Sequence, residues 1–107
     1  MSTLRLNEDN YVVWRGLRRN YTGAFVNDAI VTAIVRDANG LVVVDRFYLL
    51  YEAQSDGDYL GVIDKALTAG LISGAEYFVE VTANIDEDEG EAFRRAGCTA
   101  KHHAETP

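Results

Sequence analysis

The chain has 107 residues, of which 48% are hydrophobic, and this predicts one folded domain with its own core. Its formal net charge of -7 argues against nucleic acid as a partner, because phosphate binding needs a basic face. The single cysteine, Cys98, excludes an internal disulfide, and no apolar run approaches the roughly 20 residues of a membrane span.

The N-terminal part of the chain combines two short strand candidates with a basic loop. Residues 3–6 and 10–16 have strand-like alternation, and residues 17–28 are expected to form a loop or a short edge segment. The first residues lack the basic and apolar regions of a signal peptide, which predicts a protein made and used in a cytoplasm, or assembled there into something larger.

The clearest strand prediction lies at residues 29–36, which are rich in β-branched side chains. Residues 37–40 follow with an Asn-Gly pair, a strong hairpin signal because both positions tolerate positive φ. Residues 41–53 form the returning strand. Asp45 and Arg46 in its middle predict a bulge, a bend or a switch between sheets.

The C-terminal half continues the same pattern of short strands and turns. Strands are predicted at residues 59–64, 76–85 and 91–102, whereas residues 65–75 contain glycines that limit them to about one helical turn. Short strands at roughly ten-residue spacing predict an all-β, antiparallel β-sandwich of about seven strands.

Three residues spaced three apart precede the alternating strand at 76–85: Leu71, Gly74 and Tyr77. This pattern resembles the tyrosine corner of fibronectin type III and other immunoglobulin-like domains. The resemblance implies that the ring of Tyr77 packs under the loop and that its hydroxyl bonds to backbone a few residues upstream. The segment is therefore interpreted as a structural hinge and not as a catalytic site.

Two further segments resemble bacterial immunoglobulin-like modules. "VTAIVRDANG" at residues 31–40 is similar to their strand and turn, and "GDYLGVI" at residues 57–63 is similar to their Gly-x-Tyr strand. Together these resemblances imply an immunoglobulin-like sandwich over residues 29–101. Residues 1–28 are then an N-terminal arm or edge segment of the same domain, and residues 102–107 a disordered tail.

The residue types needed for catalysis do not form a recognisable constellation. No serine lies in a Gly-x-Ser-x-Gly elbow, and the only histidines, His102 and His103, lie in the tail. We therefore predict no enzyme, no catalytic residue and no cofactor.

An acidic run marks the loop before the last strand; its members are Asp86, Glu87, Asp88, Glu89 and Glu91. Oxygen-rich loops bind calcium, but the spacing does not match an EF-hand. We favour a solvated or partner-facing loop and predict no metal, and a loop-tip calcium site stays the alternative.

The best binding constellation sets Tyr11 and Trp14 among Arg15, Arg18 and Arg19. Trp, Tyr and Arg are enriched in interface hot spots. The alternative is that Trp14 belongs to the core and that the arginines are solvated. Residues 1–20 contain four arginines and two acidic residues, whereas residues 21–107 contain six basic and fifteen acidic residues.

The resemblance to bacterial and phage immunoglobulin-like modules, together with the missing signal peptide, implies a non-enzymatic structural protein of a bacteriophage virion, since phage particles use small immunoglobulin-like accessory domains in heads, necks and tails. Its partners would be copies of itself or other virion proteins, with the basic arm of one copy docking on the acidic loop of a neighbour. The alternative is a carbohydrate- or surface-binding module with Tyr48, Tyr51 or Tyr59 stacking on sugar rings. A small enzyme is the least supported hypothesis.

Overall fold

The computed structural model describes residues 3–19, 22–86 and 90–102. These residues form seven β-strands and one helical turn, which confirms the all-β class. In chain order the elements are β1 (Thr3–Arg5), β2 (Asn10–Trp14), β3 (Ile30–Asp37), β4 (Val42–Tyr51), β5 (Tyr59–Ile63), α1 (Lys65–Thr68), β6 (Glu76–Asp86) and β7 (Gly90–Lys101).

All seven strands belong to one mixed sheet with the order β1-β7-β6-β3-β4-β5-β2. Neighbouring strands are antiparallel except β1 and β7, which run parallel, so the prediction of an antiparallel sheet is wrong for this pair. The sheet curls around a common core into a nearly closed barrel, with β1 and β2 at its two edges.

The long strand β4 makes the sheet turn. Between the pairs Ala33–Phe47 and Val35–Val44, β4 has one more residue than β3, which confirms the bulge predicted at Asp45 and Arg46. Beyond this bulge β4 changes partner and pairs with β5. A bulge bends its strand and increases the local twist, so one strand can serve both halves of the barrel.

Strand β6 shows how the alternating sequence builds the core. Tyr77, Val79, Val81 and Ala83 are buried, whereas the residues between them are partly or fully exposed. Because side chains alternate across a strand, this places every second residue inside the barrel, as the sequence predicts.

Tyr77 holds the loop between α1 and β6. Its buried hydroxyl accepts a hydrogen bond from the backbone N–H of Ile72 at 2.8 Å, five residues upstream. Gly74 has φ of +85° and donates its N–H to the carbonyl of Ala100 at 2.7 Å, and Leu71 packs against the core. The loop is therefore tied both to its own strand and to β7.

The helical turn α1 holds the connection between β1 and β2. Asp64 caps it by accepting from the N–H of Ala66 at 2.8 Å. The buried hydroxyl of Thr68 donates to the carbonyl of Glu8 at 3.2 Å, and the carboxylate of Asp9 accepts from the N–H of Lys65 at 2.8 Å. These contacts place the two edge strands relative to each other.

Candidate functional site at the barrel seam

The two edges of the sheet meet at one point, where β1 and β2 follow each other along the chain. The side-chain amide of Asn10 donates to the carbonyl of Arg5 and accepts from its N–H, each at 2.9 Å. The same amide also donates to the carbonyl of Glu8 at 3.0 Å. Asn10 therefore supplies with its side chain the two bonds that a paired strand would make with backbone.

Beyond Asn10 the seam of the barrel is open. Strand β1 pairs only with residues 99–101 of β7, so among the described residues the earlier part of β7 has a strand partner on one side only. Strand β2 likewise pairs only with β5. Each of these strands therefore presents an unpaired edge to the seam.

A groove of about 620 Å³ occupies the open part of this seam. Its lining comes from β2, β6 and β7 and comprises Tyr11, Val12, Val13, Trp14, Val79, Val81, Arg94, Arg95 and Ala96. Four consecutive residues of β2 border the groove, a length of about 13 Å in an extended strand. We refer to this space as the seam groove.

Trp14 is a core residue that also lines the seam groove. Its side chain is only 4% exposed, so it is not a surface contact in its own right. Its buried indole Nε1–H has no acceptor among the described residues. A buried donor without an acceptor costs about 1–3 kcal/mol, so a ligand that offers an acceptor here would be favoured.

Arg94 is a cation of the seam groove that has no ion-pair partner among the described residues. Its guanidinium lies 4.1 Å from the centre of the Trp14 ring, and no carboxylate of the described residues forms an ion pair with it. The neighbouring Arg95 is different, since its guanidinium stacks on Phe78 and bonds to Glu80 at 3.2 Å. The lining is therefore mostly apolar, and Arg94 is a lining cation without a carboxylate partner among the described residues.

The predicted basic segment is folded against the turn before β5 and the loop before β3. Arg15 lies 3.5 Å from the carboxylate of Asp58, and the guanidinium of Arg18 lies 4.1 Å from the centre of the Phe25 ring. Arg19 donates its backbone N–H to the carbonyl of Ala24 at 2.8 Å. Both Arg15 and Arg18 are exposed, so their charges stay accessible to a partner.

Tyr11 belongs to the opposite face of β2. It is 60% exposed and pairs in register with Val62 on β5, while Val13 pairs with Leu60 and Leu60 with Leu50. These residues form an apolar strip on the outside of the barrel. The sequence shows the alternation in β2. It does not show that the outward-facing apolar residues of β2, β5 and β4 would lie side by side.

The acidic loop is only partly within the described residues. Asp86 ends β6 and Glu91 is exposed in β7, whereas Glu87, Asp88 and Glu89 lie outside the described residues. In register, Ile30 pairs with Asn84 and Asn84 pairs with Glu91. Asp86 and Glu91 therefore lie at the end of the barrel where β3 begins.

The basic segment reaches this same end of the barrel. Trp14, which precedes it, pairs with Tyr59 at the start of β5, and Tyr59 pairs with Tyr51 at the end of β4. Because antiparallel neighbours alternate in direction, the end of β2, the start of β3 and the end of β6 all meet at one end. Arg15 and Arg18 thus share an end with Asp86 and Glu91.

The three tyrosines of the sugar-binding alternative have different environments. Tyr48 is 66% exposed, but Tyr59 is only 1% exposed, so the prediction that Tyr59 faces a ligand is wrong. Its hydroxyl donates to the carbonyl of Val26 at 2.7 Å and accepts from the N–H of Ala29 at 3.1 Å. Burial raises the pKa of Tyr59, and its ring packs against that of Tyr51.

Among the described residues, no group of three or more His, Cys, Asp or Glu side chains is placed to hold a metal ion. In the same part of the chain, no helix is long and apolar enough to cross a membrane. No protein-family model matches the chain, and no curated protein or solved structure matches it.

Proposed function

We propose that this chain is a non-enzymatic structural protein that acts through protein–protein contacts, as an accessory component of a bacteriophage particle. The observation that carries the proposal is the open seam, where two strand edges that have no partner among the described residues border a mostly apolar groove containing Arg94. Unpaired edges of this kind bind other chains, and folded proteins otherwise cover or blunt them.

An immunoglobulin-like relationship is part of this proposal. The bond from the N–H of Ile72 to the hydroxyl of Tyr77 supports it, because a tyrosine corner makes this type of bond. The setting in a phage particle rests on the resemblance of residues 31–40 and 57–63 to bacterial and phage modules.

The placement of charge favours a two-fold contact between copies. Arg15 and Arg18 share one end of the barrel with Asp86 and Glu91, so two copies can meet end to end with each basic segment facing these acidic residues of the other copy. Such a contact is isologous and closes as a dimer, whereas basic and acidic patches at opposite ends would favour a ring or a filament. Opposite patches also help to set the register of a contact.

Light scattering on the purified chain at low and high salt tests this proposal. We expect a dimer at low salt that dissociates at high salt, because exposed ion pairs are screened. Reversing Arg15, Arg18 and Arg19 to Glu should give a monomer, while the control Arg46→Glu, on the outer face of β4, should leave the dimer intact. A monomer at both salts would contradict the self-contact.

Carbohydrate binding stays the second candidate because two exposed aromatic side chains stand at the ends of one cross-strand row on the barrel. Phe93 pairs in register with Thr82, Thr82 with Thr32, and Thr32 with Tyr48. The two aromatic ends of this row are 59% and 66% exposed and lie three strand spacings apart, about 14 Å. Glycan binding by the monomer that is lost in Tyr48→Ala and Phe93→Ala would favour this function.

A further inference from the structure

We propose that the seam groove binds an extended, acidic segment of a partner protein as an additional β-strand between β2 and β7. This inference rests on the proposed function, since it names the kind of contact through which the chain would join an assembly. It also names the chemistry of the segment that fits.

The position of β1 defines the path of the incoming strand. β1 runs parallel to β7 beside residues 99–101, and the seam groove lies beside residues 94–96 of the same strand. The groove therefore continues the line of β1 towards the start of β7. A segment on this line would run parallel to β7 and antiparallel to β2, and would complete the barrel where β1 does not reach.

The edges that border the groove supply the main-chain part of the recognition. In an antiparallel pair, alternate residues bond to each neighbour, so the residues of β2 that do not bond to β5 direct their N–H and C=O groups into the seam. Strand addition uses these groups for affinity and side-chain pockets for specificity. The length of the groove suits about four extended residues.

Two side chains define the preferred sequence of the segment. The Nε1–H of Trp14 lacks an acceptor, and the guanidinium of Arg94 lacks a carboxylate among the described residues. A segment with a Glu or Asp at the Arg94 position would satisfy the cation, and a backbone carbonyl or carboxylate oxygen would satisfy the indole. The apolar floor formed by Val79 and Val81 suits a β-branched neighbour.

The chain contains its own reporter for this site, because Trp14 is its single tryptophan. We would extend the full chain ahead of residue 1 with Thr-Val-Glu-Val-Thr through a flexible Gly/Ser linker. A short linker gives an effective concentration in the millimolar range, so even a weak strand would occupy the groove. The readouts are Trp fluorescence and the NMR resonance of the indole N–H.

We expect the extended chain to shift both Trp14 signals relative to the parent chain. The same extension with Lys in place of Glu should bind at least about tenfold less, as expected for loss of a charge-assisted hydrogen bond. In the Arg94→Glu variant the extension with Lys should bind more tightly than the extension with Glu. In the control variant Arg46→Glu the preference for the extension with Glu should not change. An extension with alternate prolines cannot donate to the strand edges and should leave both signals unmoved.

Unchanged Trp14 signals in the acidic extension would overturn the inference, as would equal shifts from the proline extension. Equal shifts from free acetate would also overturn it, because they would indicate a simple anion pocket. A shift in the parent chain that grows with its own concentration would assign the groove to a second copy. If the Trp14 signals do not shift but the chain still forms a salt-sensitive dimer, only the strand-binding site is excluded. If the chain is a monomer at both salts but its Trp14 signals shift with the acidic extension, only the contact between copies is excluded.

Discussion

The side-chain amide of Asn10 bonds to both backbone groups of Arg5, each at 2.9 Å, and so closes the barrel at the point where its two edge strands meet. Replacing Asn10 with Asp would put a second acceptor oxygen against the carbonyls of Arg5 and Glu8. We expect this to lower the free energy of unfolding by about 1–3 kcal/mol, the cost of leaving buried polar groups unpaired. Urea unfolding measures this, with the exposed Asn39→Asp as the matched control; equal stability of the two variants would contradict the closing role.

The hydroxyl of Tyr77 is predicted to hold the loop before β6. Tyr77→Phe keeps the ring but leaves the N–H of Ile72 without its acceptor. We expect a loss of about 1–3 kcal/mol in the free energy of unfolding, because a buried donor is left unpaired. Tyr48→Phe, at an exposed position, should change little. If both variants unfold at the same urea concentration, the corner does not contribute to stability.

Tyr59 should make the stability of the protein depend on alkaline pH. Burial, more than the nearby charge of Asp28, raises the pKa of Tyr59 above its ordinary value of 10.0, while the bond from Ala29 opposes this shift. The unfolded chain therefore loses this proton near pH 10 while the folded chain keeps it. The protonated hydroxyl of Tyr59 therefore makes its full contribution to the free energy of unfolding below pH 10. This contribution is lost as the pH rises further, towards the raised pKa of the folded chain.

Tyr59→Phe tests this assignment. The variant should be less stable at neutral pH, because the carbonyl of Val26 and the N–H of Ala29 lose their partner. It should also lose less stability than the parent chain when the pH is raised from 9 to 11. Thermal unfolding across this range provides the measurement, and parallel pH profiles for the two chains would show that Tyr59 does not titrate in this way.

Gly57 is predicted to tolerate no side chain. Its φ is +72°, and a Cβ atom there would lie 2.6 Å from the carbonyl oxygen of Leu17. Gly23 has a similar φ of +70° but open space around it, so Gly23→Ala isolates the cost of backbone strain. That strain costs about 1–3 kcal/mol. We expect Gly57→Ala to lose clearly more stability than Gly23→Ala in urea unfolding, and equal losses would contradict the close approach to Leu17.

Cys98 is predicted to be a poorly reactive core thiol. It is buried in β7, and burial raises the pKa of its thiol above 9.0. Because the thiolate is the nucleophile, a buried thiol with a raised pKa reacts slowly. Reaction with a colorimetric disulfide reagent should be much slower in the native chain than in urea. A fast native reaction would place Cys98 at the surface.

Much of the fold follows from local features of the sequence. The alternation in residues 76–85 and the bulge at Asp45 and Arg46 are predictable because side-chain period and strand interruption are local properties. The parallel pairing of β1 with β7 is not, because it joins residues almost 100 positions apart and depends on how the sheet curls. No signal in residues 3–6 specifies that partner.

The site was less predictable than the fold. The sequence singles out Trp14 and the arginines after it, yet the cation beside that ring is Arg94. Arg94 and Arg95 are adjacent, identical in type and both line the seam groove, and only the alternation of β7 places Arg94 beside Trp14 and Arg95 beside Glu80. Likewise Tyr59 and Tyr48 are both strand tyrosines, but Tyr59 lies on the inward face of β5 with Ile63, whereas Tyr48 lies on the outward face of β4 beside buried Leu49.

Amide hydrogen exchange by NMR on the unmodified chain tests the central claim, an open seam beside β2, most directly. We predict slow exchange throughout residues 31–35 of β3, which pairs on both sides, and an alternation of slow and fast exchange along residues 11–14 of β2, which pairs on one side. If all the amides of β2 exchange as slowly as those of β3, the seam beside β2 is already closed and no open strand edge is present there.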